Sequence, residues 1–239
     1  MQVLRSAIIL RPFRSLRTGE RTMALSIATS EIFRSIQGET SFAGLPAVFV
    51  RLFGCNLNCA WCDTRYAVTG AVEHLDVETV WHKVVSLGTQ LVCITGGEPL
   101  LQEDAVSALA GRLIDAGHTV LLETNGTIDL SVVPPAVVRV VDVKCPSSGE
   151  SGTMLATNLD LLTERDELKF VMADRADFEY AVHFVETHDL ERRVSLLFSP
   201  VHDRLPGRRL AEWLLDAKLE ARLQVQLHRL LWPDRDRGV

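Results

Sequence analysis

Three cysteines within eight residues carry the clearest chemical signal in the sequence. Cys55, Cys59 and Cys62 fall in the segment Cys-Asn-Leu-Asn-Cys-Ala-Trp-Cys, a tight loop that can wrap a single inorganic centre. Thiolate sulfur is the preferred ligand of iron–sulfur clusters and of zinc. A [4Fe–4S] cluster with three protein ligands keeps one iron free for a further ligand, whereas structural zinc takes four protein ligands. The pattern favours a cluster; zinc bound with a histidine such as His74 or His82, or three unligated cysteines, are the alternatives.

A glycine-rich segment forms the second signal. Residues 95–99 read Thr-Gly-Gly-Glu-Pro and follow a short apolar run typical of a buried strand. Two adjacent glycines allow backbone carbonyl groups to approach a ligand closely, and the Glu98 carboxylate offers an acceptor for an ammonium group. Alone, such a segment is usually an ordinary turn between a strand and a helix. Its position after a cysteine triplet favours a ligand site.

Strand-like and helix-like segments alternate from residue 47 onward, which is the pattern of a parallel sheet crossed by helices. Six or seven such units are fewer than the eight of a closed barrel. The predicted fold class is therefore α/β, a partial, open TIM-like βα barrel of about six parallel strands. The predicted strands cover residues 47–53, 91–95, 119–123, 138–143, 167–172, 193–198 and 222–227, and the predicted helices cover 77–86, 103–116, 176–187 and 208–219.

Side chains with reactive groups repeatedly fall at the carboxyl ends of these predicted strands. In a parallel sheet the carboxyl ends meet at one edge, and ligands bind there. We therefore expect one shared site at this edge. The residues concerned are Cys55, Thr95, Glu123, Lys144 and Ser199.

The composition indicates one globular domain. Of the 239 residues 47% are hydrophobic, enough to bury a core without disulfides. A net charge of −6 provides no basic field for nucleic acid or an anionic membrane, and no apolar run approaches the roughly 20 residues that span a bilayer. An odd set of five cysteines, three of them crowded together, suits a reducing compartment. We therefore expect a soluble, cytoplasmic protein.

The first 22 residues differ from the rest of the chain. They contain five arginines among serines and threonines, and no acidic residue precedes Glu20. An arginine-rich, acid-poor start resembles an organelle transit peptide, but a disordered extension upstream of a later start at Met23 is the favoured interpretation. We expect residues 1–22 to be disordered and residues 23–239 to form a single core domain.

The cysteine spacing, the tryptophan before the last cysteine and the glycine-rich segment together resemble the radical S-adenosylmethionine (SAM) superfamily. Further segments, in order over nearly the whole core, resemble its 7-carboxy-7-deazaguanine synthase family. That resemblance implies a lyase that converts 6-carboxy-5,6,7,8-tetrahydropterin to 7-carboxy-7-deazaguanine with loss of ammonia, in the biosynthesis of queuosine and related 7-deazapurines. The matching segments are Glu-Ile-Phe-Arg-Ser-Ile-Gln-Gly-Glu-Thr at 31–40, Arg-Leu-Phe-Gly-Cys at 51–55, Trp-Cys-Asp-Thr at 61–64, Glu-Thr-Asn-Gly at 123–126, Asp-Val-Lys-Cys-Pro-Ser-Ser at 142–148, and Gln-Leu-His-Arg at 226–229 with Trp232 beyond them.

The resemblance also implies three cofactors, which are a [4Fe–4S] cluster, SAM and Mg²⁺. The cluster would be held by Cys55, Cys59 and Cys62, which makes these the catalytic residues, and Mg²⁺ would contact Thr64. SAM would bind at Trp61, Asp63, Gly97, Glu98, Asp142, Val143, Lys144 and Ser199, and the pterin at Ile36, Gln37, Gly38, Glu39, Arg51, Thr95 and His228.

Several of these residues also have ordinary structural explanations. A Gln-Gly-Glu sequence is usually a polar turn, an arginine in a strand such as Arg51 usually pairs with an acid, and Thr64 alone would be a capping residue. Asp142 and Lys144 alone would form an ion pair at the end of a strand. A lone histidine such as His228 is usually a core residue. The number and order of the matching segments favour the functional interpretation.

The resemblance to this family also suggests partners, and two other functions remain as alternatives. The resemblance implies a small-molecule pterin substrate, an electron donor such as a flavodoxin or ferredoxin, and a homodimer. One rival is a radical SAM protein that activates glycyl-radical enzymes, and another is a non-catalytic zinc-binding module. Seven residues follow Trp232, so a substrate contact by a terminal carboxylate stays open, as does the choice of Glu39 or His228 as acid or base. Cys93 and Cys145 lack cluster spacing and are expected to be packing residues.

Overall fold

The computed structural model describes residues 25–239, so the predicted disorder of residues 1–22 lies outside the described part. Its strands are β1 (Ser26–Ile36), β2 (Pro46–Leu52), β3 (Glu73–Asp76), β4 (Leu91–Gly96), β5 (Thr119–Thr124), β6 (Val138–Lys144), β7 (Glu167–Met172), β8 (Ser195–Pro200) and β9 (Arg222–Leu223). Its α-helices are α1 (Tyr66–Thr69), α2 (Val77–Ser86), α3 (Glu103–Asp115), α4 (Arg175–Thr187), α5 (Gly207–Ala217) and α6 (Leu227–Leu231). Short 3₁₀ turns cover Pro99–Gln102, Leu130–Val132, Pro146–Ser148 and Ala156–Leu161.

All nine strands form one sheet in the order β3-β1-β2-β4-β5-β6-β7-β8-β9. Pairing is parallel from β2 through β9, whereas β1 lies antiparallel to both β2 and β3. The two ends of this order, β3 and β9, do not pair, so the barrel is open, as the sequence predicts.

Two features of the sheet differ from the prediction. Strands β1 and β3 were not predicted, because their residues are largely half-exposed and lack the continuous apolar run of a buried parallel strand. The last predicted strand, at residues 222–227, is a two-residue strand followed by helix α6. Residues 224–227 instead turn back toward the loop after β1, where Leu227 N donates to Gly38 O.

The outer layer explains why the central strands are so apolar. Outward side chains such as Val92, Ile94 and Phe170 pack in the main hydrophobic cluster under the helices. Helix α3 contributes its buried face to the same cluster, and helices α2 and α4 begin where an aspartate side chain accepts from a backbone N–H of the first turn. No helix within residues 25–239 has the length and apolar character needed to cross a bilayer.

The inner layer changes character along the strands. At the amino ends, inward side chains form a second apolar cluster, in which the rings of Phe33 and Phe49 stack at 5.1 Å. Side chains two residues further along a strand point the same way. On β2, β4 and β5 this step leads from Phe49 to Arg51, from Cys93 to Thr95 and from Leu121 to Glu123. The inward side chains are thus apolar at the amino ends of the strands and polar at the carboxyl edge of the sheet.

Candidate active site

A cavity of about 600 Å³ lies at this carboxyl edge. Its wall is formed by the cysteine loop, by the loop that follows β1, by the inward polar layer of the sheet and by residues near the carboxyl end of the chain. A volume of this size suits one or two small organic ligands. The structure therefore brings the two groups of predicted residues, those near the cysteines and those in the Gln-Gly-Glu segment, to one place.

The cysteine loop is fixed by contacts of a neighbouring arginine. Cys55, Cys59 and Cys62 are partly exposed, unbridged, and line the cavity. The Arg65 guanidinium donates to Asn58 Oδ1 at 2.7 Å and to the Cys59 carbonyl at 2.9 Å, which ties the end of the loop to its middle. Burial raises the pKa of the Cys55 and Cys59 thiols, so cluster binding at these sulfurs must release their protons.

Gly97 allows the glycine-rich segment to pack directly on this loop. A Cβ atom at Gly97 would overlap the Gly54 carbonyl and lie 2.7 Å from Cys55 Cβ. Glu98 N donates to the same carbonyl at 2.8 Å. The glycine is therefore needed for contact between two backbone segments, which adds to the sequence-based expectation of close approach to a ligand.

The donor set fits a cluster better than a single metal ion. Within residues 25–239, no three His, Cys, Asp or Glu side chains converge on a point that one ion could occupy. A cluster has no such need, because it binds each thiolate through a different iron. Neither His74 nor His82 lines the cavity; His82 instead lies 3.2 Å from Glu78 on helix α2.

Glu98 has a different role from the one its motif predicts. It is fully buried and does not line the cavity. Its carboxylate accepts from Leu100 N at 2.9 Å, from Thr124 Oγ1 at 2.8 Å and from Asn125 N at 2.7 Å. In this structure Glu98 therefore joins the glycine-rich segment to the end of β5 and has no open acceptor facing the cavity.

The Gln-Gly-Glu loop is held over the cavity from three sides. Ser41 donates its N–H and hydroxyl to the buried Glu167 carboxylate on β7, and Gln224 Nε2 donates to Thr40 O at 3.2 Å. Gln226 Nε2 donates to Glu39 Oε1 at 2.8 Å. At Gly38 a Cβ atom would lie 2.8 Å from His228 Nδ1, so helix α6 packs against the loop backbone.

Arg51 points into the cavity from β2 and is oriented by two neighbours. Its Nε donates to Glu31 Oε1 at 2.9 Å, and the Tyr66 hydroxyl donates to the same oxygen at 2.8 Å. Burial would lower the pKa of Arg51, but Tyr66 and Glu31 raise it, which keeps the guanidinium charged. The ion pair expected of a strand arginine is thus present. Among the hydrogen bonds of residues 25–239, Nε is the only guanidinium nitrogen of Arg51 that donates.

Of the predicted site residues, three do not line the cavity: Glu98, Val143 and Ser199. Val143 points outward into the main apolar cluster, as alternation along β6 requires. Ser199 is buried on the inward face of β8, and Val201, two residues further on, reaches the cavity. All the other predicted site residues line it: Ile36, Gln37, Gly38, Glu39, Arg51, Cys55, Cys59, Trp61, Cys62, Asp63, Thr64, Thr95, Gly97, Asp142, Lys144 and His228.

The structure adds residues to the site that sequence reasoning missed. Lys169 on β7 lines the cavity, as does Tyr66 after the cysteine loop. Residues near the carboxyl end also reach it, and Arg237 lies over the Tyr66 ring at 4.5 Å. In β7, Glu167, Lys169 and Val171 alternate with apolar neighbours. This alternation could have shown from the sequence that Lys169 points to the inner face of the sheet. The tail carried no comparable signal.

Comparisons with known proteins identify the superfamily and the family of this chain. Residues 50–187 match the model of the radical SAM superfamily, to which this chain belongs. A 7-carboxy-7-deazaguanine synthase of Koribacter versatilis is 44% identical over 224 residues, covering 88% of this chain and 99% of the relative. One of Chlorobaculum tepidum is 42% identical, covering 88% and 96%. Within the superfamily, the chain belongs to the 7-carboxy-7-deazaguanine synthase family.

A solved structure agrees in fold. The crystal structure of QueE from Escherichia coli superposes with a TM-score of 0.71 at 25% sequence identity, covering 88% of this chain and 99% of that chain. The open parallel barrel is therefore shared, which confirms the fold class expected from the sequence. Membership of the superfamily also implies SAM and a [4Fe–4S] cluster as cofactors.

Proposed function

We propose that this chain converts 6-carboxy-5,6,7,8-tetrahydropterin to 7-carboxy-7-deazaguanine with loss of ammonia, in the pathway to queuosine and related 7-deazapurines. The observation that carries the proposal is the shared cavity of about 600 Å³, which the cysteine loop, the Gln-Gly-Glu loop and Arg51 all line. The family relationship supports the same activity. A radical SAM protein that activates glycyl-radical enzymes would not need the polar groups proposed to bind the pterin, and a zinc-binding module would not need the cavity.

In this proposal the cysteine loop holds the cluster through Cys55, Cys59 and Cys62. Once bound, the cluster and SAM supply hydrogen-atom abstraction, which protein side chains alone do not provide. Around them the chain positions SAM with cavity-lining groups, while Glu98 supports the glycine-rich segment from behind. These SAM-positioning residues are Trp61, Asp63, Gly97, Asp142 and Lys144.

The pterin would be read by polar groups at the other end of the cavity. Arg51 offers its terminal guanidinium nitrogens to the substrate carboxylate, because Nε is already engaged by Glu31. The Gln37 amide and the Glu39 carboxylate face the ring N–H groups, and the two residues are linked by a hydrogen bond of 3.0 Å from Glu39 N to Gln37 Oε1. Thr95 and His228 complete the wall.

Magnesium is part of the proposal through Thr64. This residue lines the cavity two positions after the last cysteine, and its Oγ1 lies 3.7 Å from Cys62 Sγ. Mg²⁺ prefers oxygen ligands and keeps several waters, so one protein hydroxyl with substrate oxygens makes a plausible coordination set. Titration of magnesium-free, cluster-loaded protein with Mg²⁺ tests it: turnover should rise in the wild type and respond less in Thr64→Val.

Partners and location complete the proposal. An external flavodoxin or ferredoxin would deliver the electron, and the five free cysteines support a reducing, cytoplasmic setting. Exposed apolar side chains near the carboxyl end, including Leu230 and Leu231, support a homodimer, which sedimentation analysis would test. One continuous sheet through the described residues supports a single core domain over residues 23–239.

Anaerobic reconstitution followed by turnover tests the function. The protein should take up about four irons per chain, and with reductant, SAM and carboxytetrahydropterin it should release 7-carboxy-7-deazaguanine and ammonia. SAM cleavage without the deazaguanine would keep the superfamily chemistry and reject the substrate. A colourless protein with one zinc would reject both.

A further inference from the structure

Lys169 lies among the charged groups of the cavity, although none of the family motifs quoted above contains it. It is the third residue of β7, and its register partner on β6 is Asp142. The side chains of Leu168 and Phe170 point outward into the main apolar cluster. Lys169 therefore points inward, and its side chain is 9% exposed.

Three carboxylates from three different segments surround the Lys169 ammonium. Glu39 Oε2, from the loop after β1, lies 2.9 Å from Nζ, and the contact is also a hydrogen bond. Asp142 Oδ2 on β6 lies at 3.8 Å and Glu123 Oε2 on β5 at 3.9 Å. Within residues 25–239, Lys169 is the only basic residue within 4.0 Å of Glu39 or Glu123.

The arrangement keeps Glu39 and Lys169 charged. Burial would raise the pKa of Glu39, but Lys169 and the hydrogen bond from Gln226 lower it to about 2. Burial would lower the pKa of Lys169, but Glu39, Glu123 and Asp142 raise it well above its ordinary value. A lysine that holds its proton so firmly is a poor acid, so its role is electrostatic.

Fold stability alone gives no reason for this cluster. A buried ion pair is often no more stabilising than apolar side chains of the same volume. The Arg139–Asp166 pair, also buried, lies away from the cavity, and there Asp166 accepts from the backbone N–H groups of Arg139 and Thr163. Lys169 and its carboxylate partners instead line the cavity itself.

Ionised carboxylates match the ligand of the proposed function, on which this inference rests. A tetrahydropterin presents several N–H donors on its ring and its amino group, and only an ionised carboxylate accepts from them with both oxygens. Two carboxylates placed together without a cation would raise one another's pKa and repel. The Gln37 amide already connects the pair, since its Nε2 lies 3.5 Å from Glu123 Oε1 and its Oε1 accepts from Glu39 N.

We propose that Lys169 is a positioning residue for the pterin: its ammonium pairs with the Glu39 and Glu123 carboxylates and keeps them aimed into the cavity, where they accept the ring N–H groups. Lys169 acts through these two carboxylates. Asp142, assigned above to SAM, has Lys144 as its nearer partner at 2.9 Å, against 3.8 Å for Lys169, so SAM binding should depend little on Lys169. Its loss should therefore weaken pterin recognition selectively.

The test is steady-state kinetics of cluster-loaded Lys169→Met. The KM for the pterin should rise at least tenfold, the effect of losing a charge-assisted contact, while kcat, iron content and the KM for SAM stay within about threefold. Arg139→Met is the matched control, because it breaks a buried ion pair outside the cavity. That control should lose thermal stability and keep the pterin KM.

A double-mutant cycle with Glu39→Gln separates positioning from a general structural effect. Lys169→Met should cost much less, within about threefold in kcat/KM, when Glu39 is already glutamine. If the single Lys169→Met variant does not fold, Glu39→Gln and the double variant decide the matter, because the double variant leaves fewer carboxylates unpaired. The pterin KM should rise in Glu39→Gln and rise less than about threefold further in the double variant, and a larger further rise would overturn the proposal.

Equal losses from Lys169→Met in both backgrounds would overturn the proposal, as would parallel losses in SAM binding and iron content. A wild-type protein that makes no deazaguanine would overturn the proposed function, and this inference with it. An active wild type with an unchanged pterin KM in Lys169→Met would overturn the inference alone.

Discussion

At the scale of single residues, the site depends on side chains that orient other side chains. Arg51 faces the cavity, but Glu31 and Tyr66 decide where its guanidinium points. Glu98, the acidic residue of the glycine-rich motif, orients Thr124 and the backbone of Asn125. Sequence motifs identify the residues that matter without stating whether each one touches the ligand or supports a neighbour that does.

Replacing Glu31 by glutamine tests this indirect role. The change removes the charge that fixes the Arg51 Nε while keeping the size of the side chain, and Glu31 is only 14% exposed. A buried hydrogen bond to a charged group contributes about 1.5–3 kcal/mol, so the pterin KM should rise about tenfold or more with kcat nearly unchanged. Steady-state kinetics with the pterin varied at saturating SAM measures it.

The matched control is Glu73→Gln, which breaks a surface ion pair with Lys83 at 3.2 Å between exposed partners. Surface pairs of this kind contribute little, so kinetics should not change. If Glu31→Gln instead lowered kcat and SAM binding together, Glu31 would be supporting the whole cysteine region.

At the scale of elements, the βα pattern was sufficient to predict six parallel strands and the edge of the sheet at which the cavity lies. It could not show β1 and β3, because antiparallel edge strands with half-exposed residues lack a strong periodic signal. It also could not show that the segment after β9 folds back over the Gln-Gly-Glu loop. That contact is a backbone hydrogen bond between Gly38 and Leu227, which does not depend on residue type and so cannot be predicted from the sequence pattern. Strand propensity can be predicted from a short segment of sequence, whereas long-range packing cannot.

The packing of the glycine-rich segment on the cysteine loop leads to a prediction for Gly97→Ala. The added methyl group would meet the Gly54 carbonyl and the Cys55 side chain, neither of which can move without displacing the loop. Iron uptake on anaerobic reconstitution should fall at least twofold, or SAM affinity about tenfold, because a small shift at a ligand loop has a large effect.

Gly111→Ala provides the control. Gly111 lies inside helix α3, and a Cβ atom there meets nothing within 4 Å. Alanine should therefore stabilise the helix by roughly 0.5–1 kcal/mol and leave iron content unchanged. Normal iron content and SAM affinity in Gly97→Ala would show that the loop adapts and that the close approach is not required.

At the scale of the whole molecule, the cavity is closed by residues far apart in the chain. Arg235, Asp236 and Val239 line it beside the cysteine loop, and Asp236 lies 3.1 Å from Arg229 on helix α6. Sequence reasoning left the reach of this tail open. No local pattern in Pro-Asp-Arg-Asp-Arg-Gly-Val encodes its contact with Tyr66, which depends on the complete fold.

Deleting residues 234–239 should raise the pterin KM several-fold and increase SAM consumption without product, because water gains access to the cavity. Iron content should stay normal, since the described tail contacts do not include the cysteine side chains. Measuring deazaguanine and SAM consumption together gives the coupling ratio. An unchanged ratio and KM would mean that the tail lies over the cavity without closing it.

In the proposed function, one cavity brings the cofactor and the pterin into contact. In the proposed reaction the hydrogen atom would be abstracted from C6 of the pterin, and a hydrogen atom would return to SAM as SAM is re-formed. Turnover of pterin deuterated at C6, followed by mass spectrometry of the recovered SAM, measures this transfer. We expect deazaguanine as product together with deuterium in the recovered SAM. Product formed with no deuterium in SAM, or deuterium-free SAM cleavage without product, would contradict it.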